Sequence, residues 1–378
     1  MAQPDRSIQP PAVAAPAYIP ALDGVRAVSI LLVILSHLGL DHVVPGAFGV
    51  TLFFFISGYL ITRQLLTQIN AAGRIGLGRF YLRRALRLVP ASLAYVMVSG
   101  GLYTLAGGRT PGLAWAAALL YGANYYQLWI GFETTLTGVR QPFNILWSLA
   151  IEEHFYLAWP VLLSLVWRKR LWAWGVLGFC IAVLAWRWAV FDMCFLEHAG
   201  HLCWKPRPNP LLRYNQLYLA TDTRADSIAW GVLLAATEAR LSRQGKRPLW
   251  IAAAIVLLAL SFLLPGPFGR TVLRPTLQGA SLLWLLPAMI HQQSVVQSVL
   301  ASPPAVIVGR LSYSLYLWHW GALGAADWLA GHEGIRWLAA AMSLTIAMAT
   351  LSYLAIEQPM LRLRRRAGSH VPLSTSGW

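Results

Sequence analysis

Apolar positions in this chain come in runs too long for the alternating faces of a soluble fold. Stretches such as Ile251 to Leu264 and Leu338 to Ala355 carry no charge at all. A helix needs roughly 20 predominantly apolar residues to cross a bilayer. Lipid offers the backbone no hydrogen-bond partner, so such runs are read as helices. The pattern predicts spans at about residues 22–41, 48–68, 88–106, 144–167, 171–190, 219–238, 249–265, 274–291, 311–330 and 337–356. The expected fold class is all-α: a polytopic integral membrane protein with about ten transmembrane helices.

An eleventh run, 112–130, is ambiguous by hydropathy, and charge resolves it. Cytoplasmic loops of membrane proteins collect Lys and Arg. With the N-terminus in the cytosol and 112–130 left as a re-entrant or interfacial segment, the inside receives five basic clusters. They are Arg74, Arg79, Arg83, Arg84 and Arg87; Arg168, Lys169 and Arg170; Arg240, Arg243, Lys246 and Arg247; Arg310; and Arg362, Arg364, Arg365 and Arg366. Counting 112–130 as a span would send Arg168, Lys169 and Arg170 outside. Both termini are therefore expected in the cytosol. The domain reading is a flexible arm over 1–20, with five prolines and no apolar signal-peptide core, a transmembrane domain over 21–361, and a basic cytosolic tail over 362–378.

Composition sharpens this picture in one respect. The chain is 57% hydrophobic and 12% charged, with a formal net charge of +16, whereas soluble domains carry about 25% charged residues. No basic stretch lies on a soluble module, so the charge speaks for anionic lipid and the inside rule, and against nucleic acid. Of the three cysteines, Cys180 falls in an apolar run, while Cys194 and Cys203 share a loop expected outside, where a disulfide is an open possibility. No Cys/His spacing suits zinc, and no metal is expected.

Ionisable residues inside spans are costly and face a polar interior, so each is a functional candidate. Arg26 and His37 lie eleven residues apart in the first span, which returns them to nearly one helix face about 16 Å apart along the axis. In the fourth span, Glu152, Glu153 and His154 follow Trp147-Ser148-Leu149. Adjacent glutamates point about 100° apart, so one is expected in a cavity, where it could meet His37, and the other in a structural pair. Arg84 and Arg87 share a helix face before Pro90, and guanidinium forks suit phosphate oxygens; a positive-inside loop is the plainer account of the same residues. Arg224 has Asp222 and Asp226 on either side in sequence, which reads as an architectural network or as a site. His319 has Tyr316 about one turn and Ser312 about two turns below it, and either lines the cavity or is bonded within the bundle. Ser57 and Gly58 mark a place where helices could approach closely.

Taken in order, these motifs resemble the acyltransferase-3 family of membrane acyltransferases, which includes O-antigen acetylases. The resemblance covers about residues 19–366. It rests on Leu22-Asp23-Gly24-Val25-Arg26 with His37, Phe54-Phe55-Ile56-Ser57-Gly58-Tyr59, Arg84-x-x-Arg87 with Pro90, Trp147-Ser148-Leu149 with Glu152-Glu153-His154-Phe155-Tyr156, the Arg224 segment, Ser312-Tyr313-Ser314-Leu315-Tyr316-Leu317-Trp318-His319, and Glu357 with Pro359. Many members carry Gln where His154 stands. Many also carry an extracytoplasmic hydrolase-like domain after the last span, and none is expected in this sequence.

The resemblance implies a ten-helix domain that moves an acyl group, often acetyl, from cytosolic acyl-CoA to a hydroxyl of a carbohydrate or lipid-linked glycan. The expected setting is the bacterial cytoplasmic membrane. His37 and Arg26 fall on the family's essential histidine and arginine, and Arg84 and Arg87 on its basic pair. The expected roles are His37 as base or acyl carrier, with Glu153 orienting it, and Arg26, Arg84 and Arg87 on the phosphates of acyl-CoA. Glu152, Ser57, Arg224, Tyr313 and His319 are further cavity candidates. Two rival classes share these residues: a transporter or flippase of lipid-linked saccharide, and an accessory protein of a polysaccharide assembly complex. Release of free coenzyme A by purified protein separates the first, and an effect of His37→Ala on product separates the second.

Overall fold

Helices account for all the regular structure among the described residues, which in this computed structural model are 18–130, 140–169, 171–195, 216–244 and 248–366. Helix α1 (Pro20–Leu35) starts on a proline and runs on into a π turn, Ser36–Leu40, in which Gly39 takes φ 96°. Then come α2 (Gly46–Ala72), α3 (Leu77–Leu105), α4 (Gly112–Leu119), α5 (Ala123–Ile130), a 3₁₀ turn at Pro142–Ile145, α6 (Leu146–Val166) and α7 (Trp172–Phe195). The chain continues through α8 (Thr221–Gln244), α9 (Pro248–Leu263), α10 (Arg274–His291), α11 (Val295–Leu300) and α12 (Pro303–Ala330). Further π turns lie at Gly269–Leu273, before α10, and at Tyr353–Glu357, where α13 (Gly334–Ser352) passes into α14 (Gln358–Arg366). Residues 1–17 of the predicted arm, Cys203, the side chain of Cys194 and residues 367–378 of the tail lie outside the described residues.

Among the described residues, six helices are long and apolar enough to cross a membrane: Pro20–Leu40, Gly46–Ala72, Leu77–Leu105, Pro142–Val166, Trp172–Asp192 and Gly334–Leu363. Helices α8, α10 and α12 are at least as long as 18 residues but carry polar stretches, and α9 is apolar with 16 residues. The protein is therefore multi-pass, and six of the ten predicted spans are supported on these grounds. The run at 112–130 forms two helices of 8 residues each, broken at Tyr121, whose φ is 55°. Each is about 12 Å long, far short of a hydrocarbon core of about 30 Å.

Large apolar side chains stand exposed along α3, α6, α7, α9 and α13, among them Leu93, Leu165, Trp174, Ile255 and Ile346. So extensive an apolar exterior is unstable in water and suits lipid. Inside, α1 lies between α2 and α12, α8 covers the other side of α2, and α7 and α10 pack on α8. Several crossings are close enough to require glycine, and two of them position the site. A Cβ on Gly309 would sit 1.9 Å from the carbonyl oxygen of Asp23, and one on Gly58 would sit 2.0 Å from that of Ile228. Gly58 is thus the close-approach residue expected from sequence. Because Gly309 meets Asp23 at the start of α1 and His319 meets His37 at its end, α1 and α12 run parallel.

The polar interior of α8 is paired differently from its sequence order. Asp226 accepts from both terminal nitrogens of Arg187 on α7, each at 2.8 Å, with both side chains fully buried. The same guanidinium donates to the Thr223 carbonyl and to Thr276 on α10. Asp222 accepts instead from the Trp186 indole at 2.6 Å. Arg224 is bonded to neither flanking carboxylate, because residues two apart on a helix face away from each other, and the buried network of α8 is built on Arg187 and Asp226.

This arrangement makes Arg187 a joint between three helices. Removing one member of a buried pair leaves the other charge uncompensated, at a cost of about 3–5 kcal/mol. Arg187→Met is expected to lower the midpoint of thermal unfolding in detergent sharply. Arg187→Met combined with Asp226→Leu, which removes both charges, should recover most of the loss.

Candidate active site

The candidate side chains gather in two tiers. The outer tier forms where α1 loosens into its π turn, a distortion frequent at functional sites. There His37 is partly exposed, and its Nδ1 lies 3.0 Å from Nε2 of His319 on α12. His319 is fully buried, and its own Nδ1 is 2.7 Å from the Tyr316 carbonyl oxygen and 3.1 Å from that of Leu315. The two imidazoles are within 8° of coplanar with centroids 5.2 Å apart. That is the geometry of rings meeting edge to edge through one hydrogen bond, rather than of a face-to-face stack. Trp320 packs against His37 at 69°, with centroids 5.0 Å apart.

The surroundings hold this tier rigidly. Tyr316 donates to the Ile145 carbonyl and bonds Ser148, joining α12 to the start of α6. The Trp320 indole donates to the Gln141 carbonyl at 2.9 Å. Arg140 pairs with the buried carboxylate of Asp327 at 3.0 Å and lies over the rings of Trp320 and Trp337. A cation thus stands on the aromatic wall beside the histidines.

The inner tier sits on α2, α3 and α6. Ser57 donates to Oε1 of Glu152 at 3.0 Å, and the Tyr156 hydroxyl donates to Oε2 at 2.9 Å. The Arg84 guanidinium rests on the Tyr156 ring, 3.5 Å from its centroid, within electrostatic reach of Glu152 and Glu153. Oε1 of Glu153 is buried with no hydrogen-bond partner among the described residues. The two glutamates differ: Glu152 is bonded to Ser57 and Tyr156, and Glu153 has an oxygen without a partner among the described residues. Arg26 acts on Glu152 from α1, and Arg26 and Arg87 act on Glu357 in the last π turn. Ser314 donates to Glu357.

Several candidates fall outside this pattern. The bond expected between Glu153 and His37 is replaced by one to His319, with Glu153 in the arginine tier instead. Tyr313 donates to the Leu88 carbonyl at 2.8 Å and bridges α12 to α3. His154 bonds Thr221 at 2.8 Å and stacks on Tyr125, linking α6 to α8. Arg224 is buried over the rings of Phe54 and Tyr218, with Thr51 at 3.3 Å and its Nε unpartnered.

Sequence reading passed over Arg187, Arg140, Tyr156 and Trp320. For Arg187 a signal existed: it is a lone charge inside the apolar run of α7. The other three carry no one-dimensional mark of their partners.

A family described as "Acyltransferase domain" matches residues 19–357. The protein named "Putative O-acetyltransferase SACOL0978", from Staphylococcus aureus (strain COL), is 28% identical over 90% of this chain and 57% of its own length. "O-acetyltransferase OatA" of Staphylococcus aureus (strain MRSA252) is 27% identical over 96% of this chain and 60% of its own. The chain thus spans under two thirds of the length of these relatives. No solved structure gives a significant match.

The inner tier makes a prediction of its own. Tyr156→Phe keeps the ring under Arg84 and removes only the hydroxyl, which serves half-buried Glu152 and Ser57. Leaving a fully buried acceptor short of a partner costs about 1–3 kcal/mol, which bounds the loss here from above. A lower thermal midpoint in detergent is expected, whereas Phe at Tyr81, whose hydroxyl bonds an exposed site, should shift it little.

Proposed function

The chain belongs to the acyltransferase-3 family, and from that premise we propose that it is a membrane O-acetyltransferase moving acetyl from cytosolic acetyl-CoA to a hydroxyl of a carbohydrate or lipid-linked glycan. One observation carries the reading: α1 joins the two tiers, with Arg26 among the arginines and glutamates and His37 in the imidazole pair. A donor with phosphates at one end and a thioester at the other suits such a helix. The O-acetyltransferase names of the relatives support the acetyl group and the oxygen acceptor.

In this proposal Arg84, Arg87 and Arg26 hold the phosphates of acetyl-CoA at the cytosolic end, and the pantetheine arm extends along α1. His37 takes the proton of an acceptor hydroxyl as that oxygen attacks the thioester carbonyl. The carbon–sulfur bond breaks, coenzyme A leaves as thiolate, and the proton on the imidazole returns to sulfur. Since His37 is already bonded to His319, Glu153 serves the donor end. Its unpartnered oxygen is available to the donor or to a bound arginine.

Two measurements test this function. Purified protein given acetyl-CoA and a glycan extract should release free coenzyme A, and mass spectrometry of cell glycans should show acetyl esters that vanish when the gene is deleted. His37→Ala should cut the rate by about 10²–10⁴-fold, the range for loss of a general base, with membrane insertion retained. Uptake of a saccharide without thioester cleavage would support the transporter reading instead.

The arginine pair acts on the donor alone. Charge-assisted contacts to phosphate contribute about 1.5–3 kcal/mol each. Replacing Arg84 and Arg87 together by Gln should raise the donor dissociation constant at least about tenfold and leave the acceptor constant nearly unchanged. Lys at both sites should restore only part, because an ammonium cannot bind bidentately. Full rescue by Lys, with the Gln pair lowering only insertion, would make them a topology signal.

A further inference from the structure

We infer that His319 is a positioning residue, which holds His37 in the one tautomer that leaves its Nε2 lone pair free for the acceptor hydroxyl. The inference rests on the proposed role of His37 and adds what makes that imidazole a base.

The chain of hydrogen bonds has only one consistent direction. Nδ1 of His319 faces two carbonyl oxygens, of Tyr316 and Leu315, at 2.7 and 3.1 Å. A carbonyl accepts and cannot donate, so that nitrogen carries a proton. His319 is fully buried, and among the described residues no carboxylate bonds its ring, while the nearby charge is the cation Arg140. A second proton would bury an uncompensated charge, at heavy cost. Nε2 of His319 is therefore an acceptor, and the 3.0 Å contact to His37 is donated by Nδ1 of His37. Neutral imidazole carries one proton. The remaining nitrogen of His37, Nε2, is left with its lone pair.

The near-coplanar rings align the donor with the acceptor lone pair, and Trp320 supports the His37 ring from its side. His319 cannot swing away, because its own proton is tied to the backbone of the helix that carries it. Orientation and tautomer are thus set together, as a carboxylate sets them in hydrolytic triads. A neutral acceptor differs from a carboxylate in one respect. When Nε2 of His37 takes the hydroxyl proton, the positive charge stays on the His37 imidazolium until that proton passes to the departing thiolate, which leaves both groups neutral. A carboxylate partner would hold that charge more firmly.

Protein labelled with ¹⁵N in histidine, purified in detergent, reads the tautomer directly. The expected spectrum has His37 protonated at Nδ1 and bare at Nε2, identified by the loss of its signals in His37→Ala. His319→Leu should lower acceptor turnover by about 10²–10⁴-fold without changing the affinity for acetyl-CoA. His319→Gln, whose amide oxygen can accept from Nδ1, should recover at least tenfold over Leu and move the midpoint of the pH–rate profile. A His37 ring protonated at Nε2 in the wild type would overturn the inference. So would His319→Leu protein that is folded and fully active. If His37→Ala itself retains activity, the proposed function loses its base, and the spectrum still judges the tautomer alone.

Discussion

The parallel packing of α1 and α12 is the constraint on which the rest of the structure depends. At one end Gly309 lets the two backbones touch at Asp23, and at the other His37 and His319 share a hydrogen bond. A side chain at Gly309 would push the helices apart at their base and carry the histidines out of reach. The helix pair also places Arg26 toward Glu152 and Glu357, and Tyr313 against the backbone of α3. Both tiers are therefore indexed to one interface. Small residues that let backbones meet are the usual means of packing helices where no water is present to drive them together.

Polar groups inside an apolar envelope are costly without a partner, and neighbouring helices supply several of them. Glu152 is served by Ser57 and Tyr156, Asp226 by Arg187, and Asp327 by Arg140 and Trp337. Other buried polar atoms have no hydrogen-bond partner among the described residues, and the Oε1 of Glu153 and the Nε of Arg84 are two of them within the inner tier. In the proposed enzyme the first belongs to the donor end. The π turns at Ser36–Leu40 and Tyr353–Glu357 have a common effect: each breaks helical register at the residue that carries a functional group, His37 in one and Glu357 in the other.

Much of the helical architecture was legible in the order of apolar residues, because in a bilayer every long apolar run is under the same demand to form a helix. The exclusion of 112–130 as a single span was legible from charge, although the break at Tyr121 was not. Azimuth was the harder quantity. Depth along a helix follows from residue number, but which neighbour a side chain faces depends on packing. Glu153 was expected at His37 on depth alone and faces Arg84 instead. Arg224 has Asp222 and Asp226 on either side in sequence, but two residues along a helix turn a side chain nearly to the opposite face, and Arg187 of another helix is the residue that pairs with Asp226. The pairing of His37 with His319 joins residues 282 positions apart, and no local pattern in either segment names the other.

The central claim is that one protein interior joins a donor end, lined by arginines, to an acceptor end, lined by the histidine pair. Proteoliposomes of uniform orientation, loaded with membrane-impermeant oligosaccharides, test it directly. With labelled acetyl-CoA supplied only on the arginine side, the account predicts labelled ester on the enclosed oligosaccharides while coenzyme A stays outside. Label that appears only when donor and acceptor share one compartment would contradict it.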